Sequence, residues 1–247
     1  MRKILKWGAI ALGALLSVGL IAGLLLDEPA PEGKAGPEAD RLARKMLAAV
    51  GKEAWDSTRY VSWAFPGGHR YVWDKFRQEV QVEWGDKKVL LHTDTQTGRA
   101  WKGREEQQGA AAEELLKKAW SFFCNDSFWL NAPAKAFDPG TTRSLVETEG
   151  AEPALLVRYA SGGVTPGDAY LWQLDENGVP LSWKMWISII PIGGLEISWE
   201  GWTSLKTGAR ISTRHQAGPF TVEVEGVSGG NSLQDIGLSQ NPFRLLD

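Results

Sequence analysis

Three histidines, one cysteine and two aspartates flanking a strand are the residues whose chemistry could make this chain an enzyme. The histidines are His69, His92 and His215, and the cysteine is Cys124. Paired with a histidine, a thiol becomes a nucleophile; grouped with cysteines, histidines hold zinc. Neither arrangement is written here. The histidines fit no H-E-x-x-H spacing, and there is no G-x-S-x-G elbow, phosphate loop or dinucleotide fingerprint. Cys124 ends the segment Phe122-Phe123-Cys124 without a basic neighbour in sequence, so it reads as an inert buried thiol. Asp168 and Asp175 bracket a strand, where turn and edge roles account for both. No catalytic residue, metal site or cofactor is expected. An enzyme acting on envelope material would need His92 or His215 to converge with aspartates in a cleft.

The dominant residue is tryptophan. Twelve of the thirteen tryptophans follow residue 26, and such rings either fill a core or line an apolar pocket. Three of them, with Tyr170, fall in the stretch 167–186, GDAYLWQLDENGVPLSWKMW. Asn177-Gly178 is the strongest short hairpin signal, because a type I′ turn needs φ > 0 at both central residues. A two-residue loop there pairs Leu174 with Leu181, Trp172 with Trp183, and Tyr170 with Met185 on one apolar face. Gln173 with Ser182, Leu171 with Lys184, and Ala169 with Trp186 fall on the other. If the apolar face is a binding wall, Tyr170, Trp172, Trp183 and Met185 line it, with Phe128 and Trp129 from a covering segment.

The elements that must position these side chains are mostly strands. Alternation marks 59–65, 69–76, 79–84 and 87–93, with Glu83 opposite Lys88 and Val82 opposite Val89. Further strands are expected near 143–148, 154–160, 167–175, 179–190, 195–203, 208–216 and 219–227, with turns such as Gly162-Gly163 and Gly193-Gly194 between them. Residues 39–50 have a helical stripe ended by Gly51, and 110–123 form a second helix. Prolines 133 and 139 predict an irregular or short-helical stretch over 125–140. The fold class is mainly β (α+β): a large curved antiparallel sheet or unclosed β-barrel of about 11 strands, with plug helices.

The N-terminus differs from the rest. Arg2, Lys3 and Lys6 precede Trp7–Leu26, twenty residues without a charge, which as a helix would span about 30 Å of hydrocarbon. The run is longer than a cleaved signal's apolar core, and Asp27-Glu28-Pro29 is a poor cleavage exit. Residues 1–26 are therefore expected to be an uncleaved signal anchor in the bacterial inner membrane, a single transmembrane helix with the basic end in the cytoplasm. Residues 27–38 read as a proline-rich spacer, and 39–247 as a periplasmic domain. Without the three N-terminal basic residues the chain holds 24 basic against 30 acidic side chains, a net charge of −6. Nucleic acid is thereby an unexpected partner. With one cysteine, no intrachain disulfide can form.

Five blocks together resemble a known group: MLAAVGKEAW (46–55), GGHRYVWDKF (67–76), NDSFWLNAPAKAFDPG (125–140), TPGDAYLWQLDENGVPLSWKMW (165–186) and WEGWTSLKTGARI (199–211). They resemble a bacterial envelope-protein family without an assigned activity, similar in layout to the lipoprotein-carrier superfamily typified by LolA and LolB. The resemblance covers about residues 40–228. It implies an unclosed barrel whose helices close an apolar cavity for acyl chains. Unlike soluble carriers this chain carries a predicted tether, and unlike the outer-membrane receptor it lacks a lipidated cysteine. The expected function is a membrane-anchored periplasmic binding protein for a lipid, acylated or other hydrophobic ligand, not an enzyme. The alternative is a structural or interaction module with a self-filled core that recruits an envelope-protein partner.

Overall fold

The computed structural model describes residues 27–148, 152–161, 166–190 and 192–246. The predicted membrane anchor, residues 1–26, and the Gly162-Gly163 turn lie outside the described residues. Among the described residues no helix is long and apolar enough to cross a membrane.

Two antiparallel sheets make up most of the fold. The larger contains β1 (Tyr60–Phe65), β2 (His69–Asp74), β3 (Glu79–Trp84), β4 (Lys87–His92), β5 (Gly98–Lys102), β6 (Glu105–Glu106) and β16 (Glu225–Gly230), in the order β16-β1-β2-β3-β4-β5-β6. The smaller contains β7 (Thr141–Val146), β8 (Ala154–Tyr159), β9 (Ala169–Leu174), β10 (Pro180–Trp186) and β11 (Leu195–Ser198), in the order β11-β10-β9-β8-β7. Two small hairpins join them along one side: β12 (Thr203–Ser204) with β13 (Arg210–Ile211), and β14 (Arg214–Ala217) with β15 (Phe220–Glu223). Lys206 N donates to Gly229 O at 3.2 Å, and Gln216 N to Ser198 Oγ at 3.0 Å. No described strand pairs β6 to β7, so the β layer stays open there.

The predicted alternation of β3 is present. Val80, Val82 and Trp84 are buried, Glu83 sits opposite Lys88, and Val82 opposite Val89. Helix α1 (Pro37–Ala49) ends where Gly51 adopts φ 67°, a left-handed value that glycine takes without steric cost. A short helix α2 (Lys52–Ser57), not anticipated, follows directly.

Helix α3 spans Gly109–Asn131, about 34 Å at 1.5 Å per residue. The irregular stretch expected from residue 125 is corrected: NDSFWLN continues the helix, and only 132–140 leaves it, through a 3-10 turn Ala132–Lys135. Nothing in 125–131 breaks a helix, and Pro133 acts only from the next element onward. The extra two turns let α3 serve both sheets. Ala119 and Phe123 enter the core of the larger sheet with Trp63, Tyr71 and Val82. Phe128 and Trp129 pack on the smaller sheet, whose core holds Met46 of α1 with Leu155, Trp172, Trp183 and Trp199.

The β9–β10 hairpin keeps its predicted pairs Trp172–Trp183, Tyr170–Met185, Gln173–Ser182, Leu171–Lys184 and Ala169–Trp186. Its turn differs. Gly178 N donates to Asp175 O at 2.9 Å and only Gly178, not Asn177, has positive φ. The Asp175 carboxylate accepts from Asn177 N and Val179 N, both at 2.8 Å. This three-residue turn, one residue longer than expected, puts Pro180, not Leu181, opposite Leu174, and a bulge at Leu181 restores the register. Leu181 is consequently exposed.

The predicted spacer is not free. Glu28 N donates to Gly193 O at 3.1 Å, Lys34 and Leu145 exchange backbone hydrogen bonds at 2.8 and 2.9 Å, and Arg158 donates to Pro31 O at 2.9 Å. Residues 27–34 lie against the smaller sheet as a fixed stem.

A candidate ligand cavity beside helix α3

Along α3, between the ends of the two sheets, runs a cavity of about 870 Å³, within the size range of small-ligand sites. Its apolar wall includes Phe122 and Phe128 of α3, Tyr159 and Tyr170 of the smaller sheet, and Ile187 and Ile189 of the β10–β11 loop. Its polar border includes His69, Asp126, Lys135, Asp138 and Asp168.

Of the six side chains predicted to form a binding wall, two line the cavity: Phe128 and Tyr170. Their rings lie 5.0 Å apart. Trp129, Trp172, Trp183 and Met185 are not among the lining residues and pack behind that wall. Trp172 and Trp183 are fully buried, with Trp199 5.0 Å from each. All six nevertheless belong to one apolar cluster, in which Phe128 stacks on Trp183 at 5.8 Å and Trp129 meets the same ring at 5.5 Å. Inward-facing positions recur every second residue along β9 and β10, and α3 covers them, so the periodicity that grouped them could not separate core from lining.

The most developed polar group escaped the sequence reading. Asp126, buried on α3, accepts from Tyr71 Oη at 2.5 Å and lies 2.7 Å from His69 Nδ1, while Asn125 donates to its other oxygen at 2.8 Å. His69 also lies against Phe122, ring centres 4.0 Å apart. Burial, reinforced by the Asp126 charge, pushes the Tyr71 hydroxyl far above its ordinary value, so it stays a donor. His69 and Asp126 are 57 positions apart, and no local spacing rule links them; the pointers in the sequence are that Asp126 lies in the NDSFWLNAPAKAFDPG block and His69 and Tyr71 in the GGHRYVWDKF block.

A carboxylate orienting a histidine is half of a nucleophilic site. Among the described residues no serine or cysteine hydrogen bonds to His69. Cys124 borders the cavity, but burial pushes its thiol up to about 12, so it is not a thiolate at neutral pH. His92 lies opposite Glu79 in the sheet. His215 is enclosed by Trp129 and Trp199, its Nδ1 facing Ser198 O at 3.2 Å, and burial holds it down to about 4. Neither joins a cleft carboxylate. Among the described residues no three His, Cys, Asp or Glu side chains gather to hold a metal.

On the cavity's other flank, Asp168 holds the start of β9 to the β10–β11 loop by accepting from Ser188 N at 3.2 Å. Burial, then the Asp168 charge, raises the Tyr170 hydroxyl above its usual range. The Tyr159 hydroxyl and the Asn131 side-chain oxygen are buried without a hydrogen-bond partner, and both residues border the cavity. The arrangement suits an amphiphile: a long apolar wall with polar groups at its border. No protein-family model and no curated protein matches the chain.

Proposed function

We propose that this chain is a membrane-anchored periplasmic binding protein that takes a lipid or acylated molecule into the cavity beside α3, with a carrier-like fold of the LolA/LolB kind. The observation that carries the reading is a cavity of about 870 Å³ walled by Phe122, Phe128, Tyr159 and Tyr170. Phe128 and Tyr170 are its apolar contacts; Trp129, Trp172, Trp183 and Met185 support them from behind. Each Å² of apolar ligand surface covered there contributes roughly 25 cal/mol, so a few methylenes suffice for retention. Residues 7–26 tether the domain to the inner membrane, which favours holding or handing over a ligand above free diffusion.

The second reading, an interaction module with a self-filled interior, is favoured by the mutual packing of Trp172, Trp183 and Trp199. Native mass spectrometry of residues 27–247, purified without detergent and followed by lipid extraction, separates the two. A co-purifying acylated species supports the binding reading and names the ligand class. A clean apo mass, with no uptake of a fluorescent fatty acid, refutes it and leaves the interaction module.

A further inference from the structure

The loop between β10 and β11 presents four isoleucines in six residues: Ile187, Ile189, Ile190 and Ile192. Ile189 is 67% exposed, and Ile187 and Ile189 line the cavity as well. Ile187 and Ile190 pack against the core of the smaller sheet, so Ile189 is the apolar tip the loop leaves uncovered at the cavity rim, where an exposed apolar side chain marks a contact point. Where the stem is fastened says what covers it.

Gly193 N donates to Asp27 Oδ1 at 2.8 Å, Trp186 Nε1 to Glu28 O at 2.6 Å, and Lys184 Nζ to Glu28 Oε2 at 2.7 Å. With the Glu28–Gly193 backbone bond, these pin Asp27 and Glu28 to the foot of the same loop. The seat is built for close approach: a Cβ on Gly193 would meet Trp186 Cδ1 at 2.4 Å and Glu28 O at 2.6 Å, and one on Gly194 would meet Glu28 Cβ at 2.7 Å. Leu26, the last residue of the charge-free run, is one Cα step from Asp27, about 3.8 Å. Wherever that run leaves a bilayer, this loop must lie at the same surface.

We propose that the β10–β11 loop dips into the bilayer at Ile189, beside the anchor's exit, so that the cavity opens on the membrane and takes its lipid from it directly. The inference rests on the anchor and binding readings above and adds the source of the ligand. Ser188 is the polar residue among the four isoleucines, and residues 187–194 hold no charged side chain; beside the loop, Glu28 is paired with Lys184, and Asp27 and Asp168 accept from Gly193 N and Ser188 N. The tip of the loop can therefore enter the interfacial region without carrying a charge into it.

The test uses the full chain in nanodiscs of phosphatidylethanolamine and phosphatidylglycerol carrying doxyl-labelled lipid. An environment-sensitive fluorophore is attached at Ile189→Cys or, as control, at Leu181→Cys. Leu181 is exposed and lies toward the opposite end of β10; labelling of the wild-type chain measures any background from Cys124. The expected result is blue-shifted, lipid-quenched emission at 189 and water-like, unquenched emission at 181. If 189 is unquenched while alkaline carbonate leaves the chain in the membrane, loop docking is overturned and the anchor stands. If carbonate removes the chain and 189 is unquenched, the anchor reading fails and this inference with it.

Discussion

Replacing Asp126 by alanine tests whether the polar group at the cavity is a structural keystone. The carboxylate is 1% exposed and receives three contacts, from Tyr71, His69 and Asn125. Tyr71 is itself buried and its hydroxyl is held protonated, so without Asp126 a donor is stranded. A stranded buried donor costs about 1–3 kcal/mol. His69 and Asn125 are nearer solvent, and each lost bond adds roughly 0.5–1.5 kcal/mol. Relief from burying the carboxylate offsets part of this, leaving a net loss of about 2–5 kcal/mol. For a domain of this size that lowers Tm by roughly 5–20 °C. The assay is urea unfolding of wild type, Asp126→Ala, Tyr71→Phe and the double variant, followed by tryptophan fluorescence. The double variant should recover about 1–2 kcal/mol relative to additivity, because the Tyr71→Phe change removes the hydroxyl that would be stranded. Asp126→Asn, which keeps the shape and one acceptor, should fall between wild type and Ala. An Asp126→Ala loss below about 0.5 kcal/mol, or strict additivity in the cycle, would refute the argument.

Three further outcomes follow from the packing. His215 titrates near 4 in the folded chain against 6.5 for the free side chain, so the unfolded chain takes up the proton first. The stability tied to this group is complete above about pH 6.5 and falls by about 3 kcal/mol toward pH 4; urea midpoints across that window should flatten in His215→Gln. Trp172→Ala should cost about 3–5 kcal/mol through the cavity it leaves, read as a lowered urea midpoint, whereas Leu181→Lys should stay within about 0.5 kcal/mol. Gly193→Val cannot keep the close seat against Trp186 and Glu28; limited proteolysis should cut near residues 27–36 in the variant and spare the wild type.

The hairpin shows how a sequence can be read correctly for an incomplete reason. Asn177-Gly178 predicted the Trp172–Trp183 register through a two-residue turn. The actual turn holds three residues, with the Asp175 carboxylate capping Asn177 N and Val179 N, and the bulge at Leu181 restores the count. The register survived because the buried aromatic face fixes it more strongly than the turn. Only Leu181, the residue in the bulge, was misassigned to the apolar face. Helix α3 runs past its expected end to Asn131, because a proline restricts its own and the preceding position and Pro133 has no hold on residues 125–131. The His69–Asp126 contact was illegible, since pairing across 57 positions is set by how α3 crosses β2. Composition alone marks the stem as a spacer; its docking rests on close backbone approaches at Gly33, to Ser144, and at Gly193, to Glu28, and the Gly193-Gly194 pair reads in sequence only as a turn.

What divides core from cavity is the order of side chains along one face of β9. Trp172, Tyr170 and Asp168 occupy successive inward positions, since every second residue shares a face. Trp172 is sealed by Trp183 and Trp199, whose rings meet it at 4.9 and 5.0 Å. The indole N–H groups of these three tryptophans have no hydrogen-bond partner. Steeply inclined neighbouring rings instead offer π faces, a weak substitute. Two residues on, Tyr170 brings a hydroxyl to the cavity, and two further on Asp168 brings a carboxylate beside it. Polarity therefore rises stepwise from sealed core to lined wall to charged border within three positions of one strand. An apolar chain laid on Phe128 and Tyr170 would keep its polar end toward the Asp168 end, where the β10–β11 isoleucines meet the stem. That is the orientation a lipid has when it leaves a membrane tail-first. A cavity with the reverse order, charge deep and tryptophan at the rim, would have to bury a carboxylate against the ligand's tail. The burial of Trp172 is thus part of the cavity's construction, because it keeps the polar groups that β9 contributes at the end where a headgroup can meet them.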